Sequence, residues 1–358
     1  MGLKAVRLLS ETIIVFITII MVAISFYASQ ARLFNPQNYA FISLLSLFVI
    51  VILGINLFLT FYWASKLKAW FFVSVAAILF FIPYMTTMVQ ISFKNPHPLE
   101  DRDLCIVTYN VNSFNYHHDY NTTLQNIAFA IGEKDPDIIC FQEFWSSNDS
   151  ILESISKFIG MPYYVLGKNG KGVKDLALFS KYPIEKTECQ VYKDTHNGSM
   201  YCDLNFKGRL IRIVNCHLQT TNLNQKRGEI RKLKQITEPR VFSQALQNIY
   251  STLSDNTTRR AEQAIEVNKI VKSTKIPIIV CGDLNETPSS FVYNQVKEDL
   301  KDGFKEAGRG FGGTYKSFFR ILRVDYIFHS SAFECVNYIS DNIDCSDHNP
   351  VFGFYKFN

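Results

Sequence analysis

Three long uncharged runs near the N-terminus constrain this chain more than any other feature. Thr12–Ala31 holds no charged residue across 20 positions, Leu33–Ser65 none across 33, and Ala69–Phe93 none across 25. About 20 residues of apolar helix cross the hydrocarbon core of a bilayer, so each run is long enough to span. Tyr62, Trp63, Trp70 and Tyr84 fall at or near positions suited to interfacial aromatics. Pro83 is expected to kink the third helix, which membrane segments tolerate. The pattern predicts an anchor over residues 1–93, with spans at about 10–31, 40–63 and 69–92. A cleaved signal peptide competes for the first run, with Lys4 and Arg7 as its basic region and Ser29-Gln30-Ala31 at the cleavage site. The two later runs call for membrane integration in either case.

Charge around the runs sets an orientation. Lys4 and Arg7 precede the first run, Lys66 and Lys68 separate the second from the third, and Arg32 alone separates the first from the second. Excess Lys and Arg stay cytoplasmic. The expectation is an integral protein of the cytoplasmic membrane, with everything after Phe93 on the outer, periplasmic or extracellular, side. Beyond residue 100 the chain is nearly neutral, with 31 basic and 30 acidic residues. It therefore lacks the broad basic footprint of a non-specific nucleic-acid binder. Positive charge collects in residues 221–260, where Lys226, Arg227, Arg231, Lys232, Lys234, Arg240, Arg259 and Arg260 face three acids. This insert is mostly helical by pattern. It reads either as a solvated face or as a basic flap over an anionic substrate or anionic head groups.

None of the eight cysteines forms a CxxC pair, which speaks against a zinc site. Cys105, Cys140, Cys216 and Cys281 sit in apolar strands, where a thiol behaves as a small hydrophobe. Cys189 and Cys202 flank a hairpin turn predicted at His196-Asn197-Gly198 and are candidates to face each other.

After a linker over residues 94–101, apolar runs of strand length recur, and each ends in a polar residue. Leu104–Asn112 delivers Asn110, Ile138–Glu143 delivers Glu143, and Leu210–Cys216 delivers His217. Ile278–Cys281 breaks into Gly282-Asp283-Leu284-Asn285, Arg323–Phe328 carries Asp325, and Ser346-Asp347-His348 precedes the closing strand. If extended geometry persists, Asp283 and Asn285 leave on one face. A lone polar residue at a strand end is usually structural. Eight of these residues in series also fit one chemistry. Oxygen donors from Glu143, Asn110 and Asp347 suit Mg²⁺, which binds through one or two carboxylates plus phosphate. Two histidines can donate to phosphate oxygens, an aspartate can fix a histidine tautomer, and Asp283 can activate water.

The ordered series TYNV (Thr108–Val111), FQE (Phe141–Glu143), LALFSKYPI (Leu176–Ile184), NCHLQ (Asn215–Gln219), GDLNETP (Gly282–Pro288), GGTY (Gly312–Tyr315), RVDYIF (Arg323–Phe328) and SDHNPV (Ser346–Val351) resembles the endonuclease/exonuclease/phosphatase superfamily across residues 102–358. The resemblance implies an α/β four-layer sandwich, two packed mixed sheets flanked by helices. It also implies a phosphoesterase dependent on Mg²⁺, with Mn²⁺ as a substitute, that attacks phosphorus directly with water. Position by position, Glu143 corresponds to the principal metal ligand, with Asn110 and Asp347 beside it. Asp283 corresponds to the residue that activates water, Asn285 to a phosphate contact, and His217 and His348 to the pair that grips phosphate. Asp325 corresponds to the aspartate that orients the second histidine. Asp175, just before the LALFS strand, has no place in this reading. The membrane runs depart from the soluble nucleases. The candidate substrates are a phospholipid head group or external nucleic acid, the bilayer itself is a partner, and no protein partner is expected. A catalytically silent binding module is the alternative outside enzymology.

Overall fold

The computed structural model describes residues 2–91, 101–114, 119–145, 149–168, 174–193, 195–221, 238–317 and 320–358. The first uncharged run forms helix α1 (Leu3–Gln30). The second forms α2 (Pro36–Leu45) and α3 (Val49–Ser65), joined by a tight turn at Ser46–Phe48. Both runs are long and apolar enough to cross a membrane. The third run departs from expectation. It divides into α4 (Trp70–Leu79) and α5 (Ile82–Met88), bent by 50°. The break falls ahead of Pro83, which is excluded from a helix interior but fits a first turn. The chain then leaves the helix, and β1 (Val89–Gln90) pairs antiparallel with β11 (Gly310–Phe311). Residues 89–90, expected inside the third span, belong instead to a two-stranded ribbon.

Polar side chains tie the bundle together internally. Asn56 Nδ2 donates to Ser25 Oγ at 2.8 Å and Trp63 Nε1 to Thr18 Oγ1 at 2.9 Å, so these buried polar groups find partners on a neighbouring helix. Met21, Ile52, Leu59, Trp63 and Phe81 fill its centre, while Phe16, Phe58, Phe61 and Phe72 point outward. The expected linker, residues 94–101, lies outside the described residues except for Asp101.

Two six-stranded mixed sheets follow. One has the order β13-β14-β2-β3-β5-β4 and the other β10-β12-β9-β8-β7-β6. The first comprises β2 (Leu104–Asn110), β3 (Ile138–Gln142), β4 (Tyr163–Lys168), β5 (Lys174–Ser180), β13 (Phe333–Ser340) and β14 (Val351–Phe357). The second comprises β6 (Ile184–Val191), β7 (Gly198–Phe206), β8 (Arg209–His217), β9 (Ile278–Asp283), β10 (Lys301–Asp302) and β12 (Asp325–His329). Each sheet has one parallel pair, β2–β3 and β8–β9, at its centre.

Period-two alternation explains the layering. In β2, Leu104 and Ile106 face the second sheet with Ile138, Leu178, Ile213 and Ile279, while Cys105, Val107 and Tyr109 face helices α6 (Tyr120–Gly132) and α7 (Asp149–Ile159). Val214, Val280 and Tyr326 of the second sheet pack against α8 (Pro239–Lys272) and α9 (Phe291–Lys297). The result is the four-layer sandwich expected.

Two local expectations change. In the β6–β7 hairpin, Cys189 pairs with Met200 and Cys202 with Thr187, so the two cysteines stand two residues out of register. All eight thiols are free, and Cys189 is the exposed one. The first part of the basic insert, residues 222–237 with Lys226, Arg227, Arg231, Lys232 and Lys234, lies outside the described residues. Arg260, counted in its basic face, is instead fully buried on α8.

Candidate active site

Sheet register gathers the polar strand ends. His217 on β8 lies opposite Asp283 on β9, which lies opposite Asp325 on β12, so three titratable residues occupy one row of one sheet. Asn110 and Gln142 end the parallel pair of the other sheet, and Glu143 follows immediately. The backbone there is unusual, with Glu143 at φ 53° and Asn285 at φ 52°. Gly282 has φ 136°, and a Cβ on it would meet the Cys216 carbonyl oxygen at 1.9 Å. Only glycine permits so close an approach of β9 to β8. The extended geometry expected through Asn285 therefore ends at Asp283, where the backbone N–H of Asn285 turns back to Asp283 Oδ1 at 2.7 Å.

The side chains converge on a cleft of about 380 Å³, lined by Glu143, Asp175, His217, Asp283, Asn285, Thr287, Tyr315, Asp347 and His348 among others. Asn110 and Asp325 stand behind this lining. The Asn110 amide donates to Glu143 Oε1 at 3.0 Å and Asp283 Oδ2 at 3.1 Å, while its Oδ1 accepts from the Asn112 N–H. Asn285 Nδ2 donates to the Leu218 carbonyl at 3.0 Å.

Both histidines are held in the same way. His348 Nδ1 meets Asp325 Oδ2 at 2.9 Å, leaving Nε2 3.7 Å from Asp283 Oδ2. His217 Nδ1 meets Asp175 Oδ2 at 3.0 Å, leaving Nε2 3.7 Å from Glu143 Oε1. Asp175, which the sequence reading leaves without a role, is thus the counterpart of Asp325. Its one sequence signal is an acid opening an apolar strand, as Asp325 also does.

Electrostatics follow from burial among acids. For His217, burial works against the cation, but Asp175, Glu143 and Asp283 outweigh it and raise the pKa to about 9. For His348, burial is likewise outweighed, by Asp325 and Asp283, and the pKa rises to about 10. Burial raises the Asp283 pKa against the opposing pull of both histidines. His217 Nε2 is buried without a hydrogen-bond partner. A buried donor left open in this way is a place for a ligand oxygen.

Donor chemistry separates two places for a cation. Asp283, Asp325 and His348 bring ligand atoms within 4.8 Å of one another. However, His348 Nδ1 and Asp325 Oδ2 already satisfy each other, which describes an oriented imidazole better than a metal cage. Glu143, with a side chain 27% exposed, and Asp347 offer carboxylate oxygens to the same cleft. Those hard donors fit a divalent cation that retains waters.

A family model described as the Endonuclease/Exonuclease/phosphatase family matches residues 107–348. A second, described as a domain of unknown function (DUF8431), matches residues 11–88. A phospholipase C of Staphylococcus aureus is 24% identical over 240 residues, covering 58% of this chain and 65% of that protein, so this chain spans a little under two thirds of the relative's length. Among solved structures, an endonuclease/exonuclease/phosphatase from Beutenbergia cavernae DSM 12333 superposes with a TM-score of 0.53 at 16% identity, covering 72% of each chain. The human Nocturnin catalytic domain gives 0.51 at 18% identity, over 74% of this chain and 100% of that one. These likenesses show the fold. With a family model matched across most of its length, the chain belongs to the endonuclease/exonuclease/phosphatase family.

Proposed function

We propose that this chain is a membrane-anchored, divalent-metal-dependent phosphodiesterase that acts on a phospholipid head group. The supporting observation is the pair of buried Asp–His couples facing Glu143 and Asp283 across one cleft, with His217 Nε2 open to a ligand. Both imidazoles are cationic at neutral pH and oriented by their Nδ1 bonds, so each presents Nε2–H to non-bridging phosphate oxygens. Asp283, buried and more basic than an ordinary carboxylate, accepts the proton of an attacking water while Asn285 positions the phosphate. As the water oxygen bonds to phosphorus the ester P–O bond breaks, and an imidazolium supplies a proton to the leaving oxygen. Glu143 and Asp347 would hold Mg²⁺ or Mn²⁺, with Asn110 fixing Glu143 and Asp283. The ion supplies charge neutralisation at phosphate. Fast hydrolysis needs no covalent intermediate in this arrangement.

The lipid reading is supported by the apolar N-terminal helices, whose α2 and α2–α3 turn contact the catalytic region, and by the relative named phospholipase C. The proposed orientation keeps the catalytic region on the outer face. The deciding experiment presents the full-length protein with phospholipid vesicles and plasmid DNA side by side, in Mg²⁺ or EDTA, with Glu143→Ala and Asp283→Ala as controls. The expected result is metal-dependent head-group release, reduced at least about 10²-fold in both variants. Plasmid nicking with intact vesicles would instead make it a tethered nuclease.

A further inference from the structure

The N-terminal bundle grips the catalytic region at the loops that flank the cleft. The turn between α2 and α3 presents the carbonyl of Ser46, and two hydroxyls donate to it, Thr287 Oγ1 and Ser289 Oγ, each at 3.1 Å. The two hydroxyls also lie 3.0 Å from each other, and Ser46, Thr287 and Ser289 are all buried. Helix ends leave carbonyls without intrahelical partners, which is why such a turn can accept bonds from outside. Thr287 lines the cleft and sits in the loop that carries Asp283 and Asn285.

A second contact is made by the last helix of the bundle, α5. The backbone N–H of Gly312 donates to the Met88 carbonyl at 3.0 Å beside the β1–β11 ribbon. Two residues on, Thr314 Oγ1 accepts from the N–H groups of Val324 and Asp325, each at 3.1 Å. Tyr315 lies against the His348 ring at 5.0 Å, and the Lys316 N–H donates to the Asp347 carbonyl. The bundle therefore reaches the cleft at two loops, through residues 287–289, which follow Asp283 and Asn285, and through residues 310–312, which precede Tyr315.

We infer that the N-terminal bundle is a positioning element of the active site, acting through Thr287 and Ser289, and not only a tether. This rests on reading the cleft as the hydrolytic site. Sub-ångström placement of reacting groups controls rate, so loosening one loop slows the chemical step while leaving substrate capture nearly intact.

The test uses the full-length protein in detergent and a soluble probe, bis(p-nitrophenyl) phosphate, so that lipid presentation plays no part. Thr287→Val/Ser289→Ala removes both hydroxyls, and Thr287→Ser, the conservative control, keeps both. The double variant is expected to lose about tenfold in kcat with KM within about twofold, and Thr287→Ser to stay near wild type. Gln37→Ala, which removes a bond to Glu262 elsewhere on the same seam, is expected to leave kcat unchanged. Hydrogen exchange gives a second readout, with amides 284–290 exchanging faster in the double variant while β3 stays protected. Wild-type kcat with unchanged exchange in the double variant overturns the inference, as does an equal loss in Gln37→Ala. If the wild type cleaves no phosphodiester at all, the proposed function fails. Exchange at 284–290 then decides the coupling alone.

Discussion

Asp175 and Asp325 open strands in different sheets, and each holds a buried histidine by Nδ1. The sequence reading assigns Asp325 a role and passes over Asp175, because the resemblance offers no counterpart for an acid just before the LALFS strand. The antiparallel pairing of β5 with β3 carries Asp175 beneath His217, and pairing is invisible in the linear chain. Asp175→Asn is expected to lower kcat about 10²-fold with little change in KM, because the amide neither supports the imidazolium nor fixes its tautomer. Steady-state kinetics of Asp175→Asn, His217→Ala and the double variant check this. Losses that fail to add mark one functional unit.

At the scale of elements, α8 is fastened to the catalytic loop by a buried ion pair. Arg260 Nε and Nη2 reach Glu286 Oε1 at 2.9 and 2.8 Å, Nη1 donates to the Gln219 carbonyl at 2.8 Å, and both charged side chains are at most 1% exposed. Removing one partner strands the other charge, so Arg260→Met is expected to destabilise the fold by about 3–5 kcal/mol. Urea unfolding measures it, and Arg260→Met/Glu286→Leu should recover part of the loss. The strands were legible from apolar runs and the bundle from its lack of charge. Arg260 was not, because helical periodicity gives a face but not its depth, and a basic cluster reads as solvated by default. The break in the third span was legible only as a kink, since nothing in Val89-Gln90 announces a strand partner more than 200 residues away.

Across the whole molecule, Glu306 on the short helix Gly303–Ala307 ties the two sheets. Its carboxylate lies 2.9 Å from Lys301 Nζ on β10 and from His329 Nε2 on β12, and it accepts from the Cys335 N–H on β13. Burial works against this charge, yet the donors prevail and hold the pKa at about 2, down from 4.5. A carboxyl depressed in this way stabilises the fold fully above its unfolded value, and the stabilisation is lost as pH falls through the folded one. Glu306→Gln is therefore expected to cost about 1 kcal/mol at pH 7, kept small because the group is half-exposed. The difference from wild type should close between pH 4.5 and about 2, as followed by thermal melts.

The same wide view bears on how the chain is made. Strand β14 (Val351–Phe357) lies between β13 and β2, so the first long strand of the catalytic region gains one of its neighbours only from the last strand of the two sheets. During synthesis β2 must wait, with one ladder edge unpaired, until every other strand of the two sheets has been made and β14 has emerged. By then α1 to α5 have long been made. A protein of this design completes its hydrolytic half only after its apolar helices have found their place.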